Sequence, residues 1–213
     1  NYEGALAAFN NAVEANPNNV WAYIDKGWAL NNRGDFNQAL KEFDRAAGID
    51  AQNPWIYVNR GTSFNSLGDY QRGLIDQNKA IGLDANISWA YINRGWAYCG
   101  LGNFTQALTD LTKAAQMEPQ NPYVYSTRVW AYNGLGNTRQ TLDDLGRSIR
   151  LAPNNSWIHW NAAVYYVLTG DKGKSMTELG KAIHINGNLK QRAKIDKSFQ
   201  SLWNDIEFKK IVD

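Results

Sequence analysis

Apolar residues recur along this chain at helical spacing and in matched pairs of segments. In one segment Trp89, Ile92 and Trp96 are three and four residues apart, which places their side chains on one face of an α-helix. The spacing breaks at Gly102 and then resumes over Phe104, Ala107, Leu108, Leu111 and Ala114. The pattern therefore predicts two helices joined by a short turn, with glycine supplying the positive φ that such a turn needs.

This pair of segments is repeated along the chain without insertions. The turn glycine recurs every 34 residues, as Gly34, Gly68, Gly102, Gly136 and Gly170. A fixed 34-residue period is typical of a two-helix unit stacked into a solenoid. Asp or Asn follows each of these glycines, and we expect it to cap the second helix.

The repeat resembles the tetratricopeptide repeat family. That family has characteristic residues at repeat positions 4, 8, 11, 20, 24, 27 and 32, which in the unit beginning at Ser88 are Tyr91, Gly95, Tyr98, Ala107, Leu111, Ala114 and Pro119. The resemblance implies an all-α fold: a right-handed α-solenoid, or superhelix, of stacked antiparallel helix pairs.

The phase of the repeat predicts the organisation of the chain. Five full repeats are expected at residues 20–53, 54–87, 88–121, 122–155 and 156–189. Residues 1–19 match only the second helix of a truncated repeat, so we expect the chain to begin inside a longer protein. Residues 190–213 leave the pattern and are predicted to form a helical segment that caps the last repeat.

Opposite charges also follow the period. Position 7 carries Lys26, Arg60, Arg94 and Arg128, and the residue sixteen positions later is Glu42, Asp76, Asp110 and Asp144. We interpret these as ion pairs joining the two helices of each repeat, the alternative being ordinary solvated charges. In the fifth repeat Ala162 occupies position 7, so Glu178 is expected to lack a partner.

The resemblance also implies a binding groove lined by the first helix of each repeat. The side chains expected there are aromatic or asparagine: Trp21, Trp28, Trp55, Asn59, Trp89, Asn93, Trp96, Tyr123, Trp130 and Asn161. An asparagine amide can both donate to and accept from the main chain of an extended peptide, and aromatic rings supply rigid contact area. The alternative is that the same aromatic residues pack against the adjacent repeat.

The function predicted on this basis is a non-enzymatic protein–protein interaction scaffold that binds an extended peptide or a partner helix. Two alternatives stay open. One is a structural spacer that self-assembles head to tail through an exposed N-terminal helix, on which Leu6, Phe9 and Val13 are expected to be uncovered. The other is the repeat region of a larger enzyme or regulator.

Net charge and hydropathy disfavour nucleic acid and membrane as partners, so the expected partners are proteins or peptides. The net charge of +2 gives no general attraction to nucleic acid or membrane, and no apolar run of about 18 residues is present to cross a bilayer. No leader segment is visible at residue 1, but the native N-terminus is expected to lie upstream, so the location is left unknown with a cytoplasmic one favoured.

No catalytic residue, cofactor or metal site is predicted. Cys99 is the single cysteine and has no base in its repeat. His159 occupies the aromatic position 4 and is expected to be a packed core residue. The stretch TGDKGKS resembles a phosphate-binding loop, but Leu168 stands where that motif requires glycine.

Overall fold

The computed structural model describes residues 2–213, so Asn1, the first residue of the predicted truncated repeat, lies outside the described residues, as does the side chain of Tyr2. Regular structure within 2–213 is entirely helical, which confirms the all-α fold class. The α-helices are α1 (Tyr2–Ala15), α2 (Val20–Arg33), α3 (Phe36–Ile49), α4 (Pro54–Ser66), α5 (Tyr70–Leu83), α6 (Ser88–Gly100), α7 (Phe104–Met117), α8 (Pro122–Gly134), α9 (Thr138–Leu151), α10 (Ser156–Leu168), α11 (Lys172–Ile185), α12 (Leu189–Ile195) and α13 (Ile206–Val212), and a 3₁₀ helix spans Lys197–Leu202.

The helix–helix turns are built on the predicted glycines. All five turn glycines have φ between 72° and 95°, and no other described residue has a positive φ. At Gly102 (φ 76°) the turn closes because the Asn103 N–H donates to the Tyr98 carbonyl at 2.8 Å and the Gly102 N–H to the Cys99 carbonyl at 3.1 Å. These two bonds form a Schellman motif, which satisfies carbonyls at the end of α6.

The residue after each turn glycine caps the second helix in only some repeats. The side chains of Asp69 and Asp171 each accept a backbone N–H three residues later, at 3.1 Å. Asp35, Asn103 and Asn137 make no such bond, so the prediction of a cap in every repeat is wrong. Asp35 instead accepts a hydrogen bond from Arg33 at 2.5 Å, because a guanidinium lies within reach of its carboxylate.

The helices group into two compact units. The N-terminal unit runs to Pro119 and includes Trp130–Gly136, and the C-terminal unit comprises Gln120–Val129 and Asn137–Asp213. The division falls within α8. In the N-terminal unit each first helix packs on its own second helix, α2 on α3, α4 on α5 and α6 on α7, and also on the preceding second helix.

Close helix packing depends on glycine at position 8 of the repeat. A Cβ added to Gly95 would lie 2.7 Å from Cγ of Leu111, and one added to Gly27 would lie 2.5 Å from the Phe43 ring. Leu111 and Phe43 are fully buried. The large side chain of the second helix therefore fills the space left by the missing side chain of the first.

The second repeat makes this contact with a polar residue. Gln77 stands where the first repeat has Phe43, and it is fully buried. Its amide nitrogen lies over Gly61, where an added Cβ would be 2.3 Å from Nε2, and it donates to the Val58 carbonyl at 3.0 Å. Its Oε1 has no hydrogen-bond partner, which is an uncompensated cost of this substitution.

The predicted ion pairs are present within the repeats. Arg94 donates two hydrogen bonds to Asp110, both at 2.7 Å, and this hydrogen bonding raises the pKa of the Arg94 guanidinium. The same two-pronged contact joins Arg60 to Asp76 and Arg128 to Asp144, and Lys26 lies 3.1 Å from Glu42. The acidic side chains are nearly buried, with exposures of 4–10%.

Two of these arginines also reach the preceding repeat. Arg60 on α4 binds Asp44 on α3 at 2.7 Å, and Arg94 on α6 donates to Asn78 on α5 at 2.8 Å. Each guanidinium also lies over the position-4 tyrosine of its own repeat, 5.4 Å from the Tyr57 ring in the case of Arg60. One side chain thus connects three helices.

The fifth repeat keeps an equivalent contact with different residues, and the prediction that Glu178 lacks a partner is wrong. Nδ1 of His159 lies 2.5 Å from Oε2 of Glu178, and Lys181 binds Oε1 at 2.7 Å. Nε2 of His159 lies 2.8 Å from the Pro153 carbonyl, so Nε2 must be the donor because a carbonyl only accepts. Tyr57 makes the corresponding bond from its hydroxyl to the Ala51 carbonyl at 3.0 Å.

The apolar face of α1 is more covered than the sequence suggested. Leu6 is only 8% exposed, and Phe9 and Val13 are half-buried against the core of the N-terminal unit. The expectation that all three side chains are uncovered is therefore wrong, because α1 packs along α2.

The C-terminal unit ends in short helices packed on the last helix pair. Phe199 is fully buried and meets Trp160 of α10 edge to face, with ring centroids 5.1 Å apart. Phe208 on α13 is also buried, and α13 contacts α11. Trp203 is half-buried and donates from its indole nitrogen to the Ala193 carbonyl at 3.3 Å.

The close approach at Gly95 can be tested against a glycine with free space. Gly95→Ala is expected to destabilise the protein by about 1–3 kcal/mol, because the new methyl group overlaps buried Leu111. Gly180→Ala is expected to stabilise it by about 0.5–1 kcal/mol, since Gly180 is inside α11 with no atom within 4 Å. Urea unfolding measures both, and equal effects would contradict the packing assigned to position 8.

The ion pair between Arg94 and Asp110 can be tested by a double-mutant cycle with alanine. Asp110→Ala should cost about 3 kcal/mol because Arg94, only 20% exposed, loses its partner, and the coupling energy should be about 1.5–3 kcal/mol. The control pair is Asp171 and Lys174, whose side chains are 41% and 64% exposed, with an expected coupling below about 1 kcal/mol. Absence of coupling at Arg94 would show that the contact adds nothing to stability.

Candidate functional site

The candidate site begins with α2, α4 and α6, which lie side by side in the N-terminal unit. We call the surface formed by positions 2, 6 and 9 of these helices the first-helix face. Trp21 and Trp28 on α2 are 53% and 55% exposed, and Trp55 on α4 is 37% exposed. Three large indoles open to solvent are unusual, because such area is normally buried.

Helical periodicity explains why these indoles point outward. On α2, Tyr23, Ile24 and Leu30 are buried in the core, so the positions on the opposite side of the helix face solvent. Trp21 and Trp28 are seven residues apart, or two turns, and therefore share that side. The third repeat differs, because Trp89 packs partly buried against the hydrophobic core and Trp96 is half-buried.

Side-chain hydrogen bonds hold neighbouring first helices together. The amide of Asn65 on α4 donates to the Asn93 carbonyl on α6 at 2.8 Å, and Asn31 on α2 donates to the Asn59 carbonyl on α4 at 3.3 Å. The Ser63 hydroxyl then donates to Oδ1 of Asn31 at 2.7 Å. These bonds join α2 to α4 and α4 to α6, and they fix the spacing of the helices that form the first-helix face.

The predicted asparagine ligands have different surroundings. Asn59 is half-buried and donates to the Trp55 carbonyl of its own helix at 2.8 Å. Asn93 is only 6% exposed, and its amide donates to the Thr62 hydroxyl at 2.8 Å. Asn59 therefore retains an accessible amide, whereas Asn93 is engaged mainly in joining α6 to α4.

The remaining predicted residues lie on the later helices. In the C-terminal unit the half-buried Tyr123 hydroxyl accepts a hydrogen bond from Asn155 at 2.7 Å, and Asn161 donates to the Ser126 hydroxyl at 2.9 Å. Both predicted residues thus take part in contacts within that unit. Trp130 is half-buried and groups with the N-terminal unit.

The structure adds one residue that the sequence did not single out as a ligand, Asp25. It lies on α2 between Trp21 and Trp28, and it is exposed. Desolvation by neighbouring atoms still raises the pKa of its carboxyl above the usual value. The spacing Trp21-x₃-Asp25-x₂-Trp28 predicts that the three side chains share one side of the helix. The sequence alone does not show that both rings face solvent.

Comparison with protein families identifies the repeat. Models described as tetratricopeptide repeat match residues 1–57, 56–87 and 88–121. The chain belongs to the tetratricopeptide repeat family. No curated protein matches the chain significantly.

Solved tetratricopeptide structures share the solenoid fold. TTC0263 from Thermus thermophilus, described as a thermophilic tetratricopeptide protein, is 19% identical with a TM-score of 0.74, over 85% of this chain and 99% of its own. YrrB, described as having an unusual peptide-binding site, is 21% identical with a TM-score of 0.56, over 86% and 95%. MamA is 21% identical with a TM-score of 0.57, over 72% and 84%. At these identities the likeness concerns the fold alone.

Metal-binding clusters and membrane-spanning helices are absent from the described part of the tetratricopeptide array. Across residues 2–213 no group of three His, Cys, Asp or Glu side chains is placed to hold a metal ion. None of the helices in this range is long and apolar enough to cross a membrane. Cys99 is half-buried on α6, and burial raises the pKa of its thiol to about 12.

The thiol of Cys99 is therefore expected to react slowly in the folded protein. A rise of the pKa from 9.0 to about 12 lowers the thiolate fraction at pH 8 about a thousandfold, and the thiolate is the reactive form. Alkylation by iodoacetamide at pH 8 should therefore be slower by a large factor than in the same protein unfolded in guanidinium chloride. Similar rates in the two states would show that Cys99 is accessible and that burial does not raise the pKa of its thiol.

Proposed function

We propose that this tetratricopeptide array is a non-enzymatic interaction module whose first-helix face binds an extended peptide or a helix of a partner protein. The observation that carries the proposal is the exposure of Trp21, Trp28 and Trp55 on one side of α2 and α4. Tryptophan is enriched among the residues that dominate binding energy. Removing each indole from water contributes on the order of 2 kcal/mol before the cost of association.

The polar contacts between neighbouring first helices favour a preformed site. Asn31, Ser63 and Asn65 already fix the spacing of α2, α4 and α6, so binding does not have to order the helices. The amide of Asn59 then offers an acceptor and a donor next to Trp55, a pair that can hold a peptide main chain regardless of its sequence. YrrB, which shares this fold, is described as having a peptide-binding site.

The charges on this face favour a protein partner over nucleic acid. The position-7 bases Lys26, Arg60 and Arg94 are engaged with acidic side chains within the repeats. Asp25 contributes a negative charge to the face instead. A phosphate backbone needs unpaired cations, which positions 2, 6 and 9 do not supply.

Self-assembly through α1 has less support. Its apolar side chains are largely covered by α2, with Leu6 8% exposed, so little apolar surface is left there for a second copy. A role within a larger enzyme or regulator is compatible with the proposal, because the array would then recruit the partner.

The proposal predicts that peptide binding depends on the exposed indoles. A random dodecapeptide library displayed on phage is selected on the wild-type array, and the enriched peptides are measured against Trp21→Ala and Trp55→Ala by fluorescence anisotropy. Each variant should weaken binding at least tenfold, since about 1.4 kcal/mol corresponds to a factor of ten. Asn59→Ala should weaken the binding of all selected peptides to a similar extent, and by a smaller factor than the tryptophan variants do.

The control is an exposed apolar residue on a second helix. Ile75 on α5 is 65% exposed, so Ile75→Ala removes apolar surface away from the first-helix face and should leave the affinities unchanged. Thermal unfolding of every variant checks that the fold is retained. Failure to enrich any peptide, or equal effects of Ile75→Ala and Trp55→Ala, would refute the proposed function.

A further inference from the structure

We infer that Trp21, Asp25 and Trp28 form a subsite for one cationic side chain of the bound peptide, with arginine preferred to lysine. The inference rests on the proposed function and makes it more specific, because it names the residue type that the first repeat recognises. It follows from the spacing of the three residues, from the missing partner of Asp25 and from the way this chain pairs its own arginines.

The spacing places the three side chains on one side of α2. Residues four and three apart on a helix are neighbours with Cβ atoms about 5–6 Å apart, so Asp25 is next to both Trp21 and Trp28. At 1.5 Å per residue the two tryptophans are about 10 Å apart along the axis. Both indoles are more than half exposed, which leaves ring faces available on either side of the carboxylate.

The carboxylate of Asp25 is also available. Among the side chains that the structure describes, residues 3–213, none makes a hydrogen bond or ion pair with it, and desolvation alone shifts its pKa. The two basic side chains of α2 are used elsewhere, since Lys26 binds Glu42 and Arg33 binds Glu3 and Asp35. The negative charge next to the indoles thus has no cation from its own helix.

The position makes this charge specific to the first repeat. The equivalent residues on α4 and α6 are the neutral Asn59 and Asn93. The first-helix face of the N-terminal unit therefore presents a carboxylate at α2 and the accessible amide of Asn59 at α4, whereas Asn93 on α6 is only 6% exposed. Such an arrangement would fix the register of an extended peptide, with the cationic side chain held at α2 and a main-chain group at the Asn59 amide.

The same combination of groups holds arginines elsewhere in the molecule. Arg60 lies over the Tyr57 ring and donates two hydrogen bonds to Asp76. Arg192 lies 4.7 Å from the centroid of the Trp157 ring, which is 39% exposed, and its Nε is 3.9 Å from Oδ2 of Asp196. A guanidinium favours such sites because it is planar, stacks on aromatic faces and can donate two hydrogen bonds to one carboxylate. At Asp25 this chain supplies the aromatic rings and the carboxylate but no cation, so the cation would come from the bound peptide.

Partial dehydration of Asp25 supports the same conclusion as the geometry. Neighbouring atoms remove part of the hydration of this exposed carboxyl, which raises its pKa. A bound guanidinium would restore the missing interactions of the ionised form.

The test uses the indole N–H signals of ¹⁵N-labelled protein, assigned with Trp→Phe variants. Titration with N-acetyl-arginine amide should shift the Trp21 and Trp28 signals in preference to those of the other seven tryptophans. The neutral isostere N-acetyl-citrulline amide should bind about threefold to tenfold more weakly, as expected for one exposed charge contact and one cation–π contact. N-acetyl-lysine amide should fall between the two.

Two variants distinguish the specific effect of the Asp25 carboxylate from the effect of a change in the net charge of the protein. Asp25→Asn should remove the difference between arginine and citrulline, while Glu14→Gln, which neutralises an exposed carboxylate on α1, should preserve it. Both positions are exposed, so the fold is expected to be retained. Equal shifts with citrulline, shifts spread evenly over all indoles, or an unchanged preference in Asp25→Asn would each overturn the inference.

The peptide experiment keeps this inference distinct from the proposed function. If selected peptides require Trp55 but show no enrichment of arginine or lysine and no loss with Asp25→Asn, the first-helix face binds peptides and the cationic subsite is refuted. If no peptide is enriched, the proposed function is refuted, whereas the titration with N-acetyl-arginine amide still reports directly on Trp21 and Trp28.

Discussion

The contact between a basic side chain at position 7 and a carboxylate on the second helix sets the geometry of the N-terminal repeats. Arg94 binds Asp110 within its repeat and Asn78 in the preceding one. A nearly buried carboxylate must be paired. Each first helix is therefore held in the orientation about its axis that points its position-7 side chain toward the second helices. At 100° per residue, positions 2 and 9 then lie on the other side of the helix, where Trp21, Trp28 and Trp55 meet solvent.

Different residue types perform the same task at equivalent positions. His159 replaces both the arginine and the tyrosine of an ordinary repeat, because one ring nitrogen reaches Glu178 and the other the Pro153 carbonyl. Gln77 replaces a buried aromatic ring by donating to a backbone carbonyl across the helix pair. The repeat therefore tolerates substitution as long as the contact between its helices is kept.

The candidate binding site depends on side chains that serve two purposes. Asparagines at the same repeat position have different roles. Asn93 holds neighbouring helices together, whereas Asn59 remains available to a ligand. Sequence periodicity puts both at position 6 and cannot separate their roles, because the difference comes from Thr62, which Asn93 meets across the repeat boundary. Trp21 is exposed and Trp89 is packed against the core, although both are at position 2. This difference also depends on contacts with the neighbouring repeats.

Spacing along the chain was sufficient to predict the helix pairs, the turn glycines, the all-α solenoid and the ion pairs within repeats. The folded molecule was needed to establish which tryptophans are open to solvent, that Leu6 is covered and that Glu178 pairs with His159. These are contacts between residues distant in sequence or outside the repeat pattern. Their free energy depends on what each side chain meets across a helix interface, which a linear pattern does not encode.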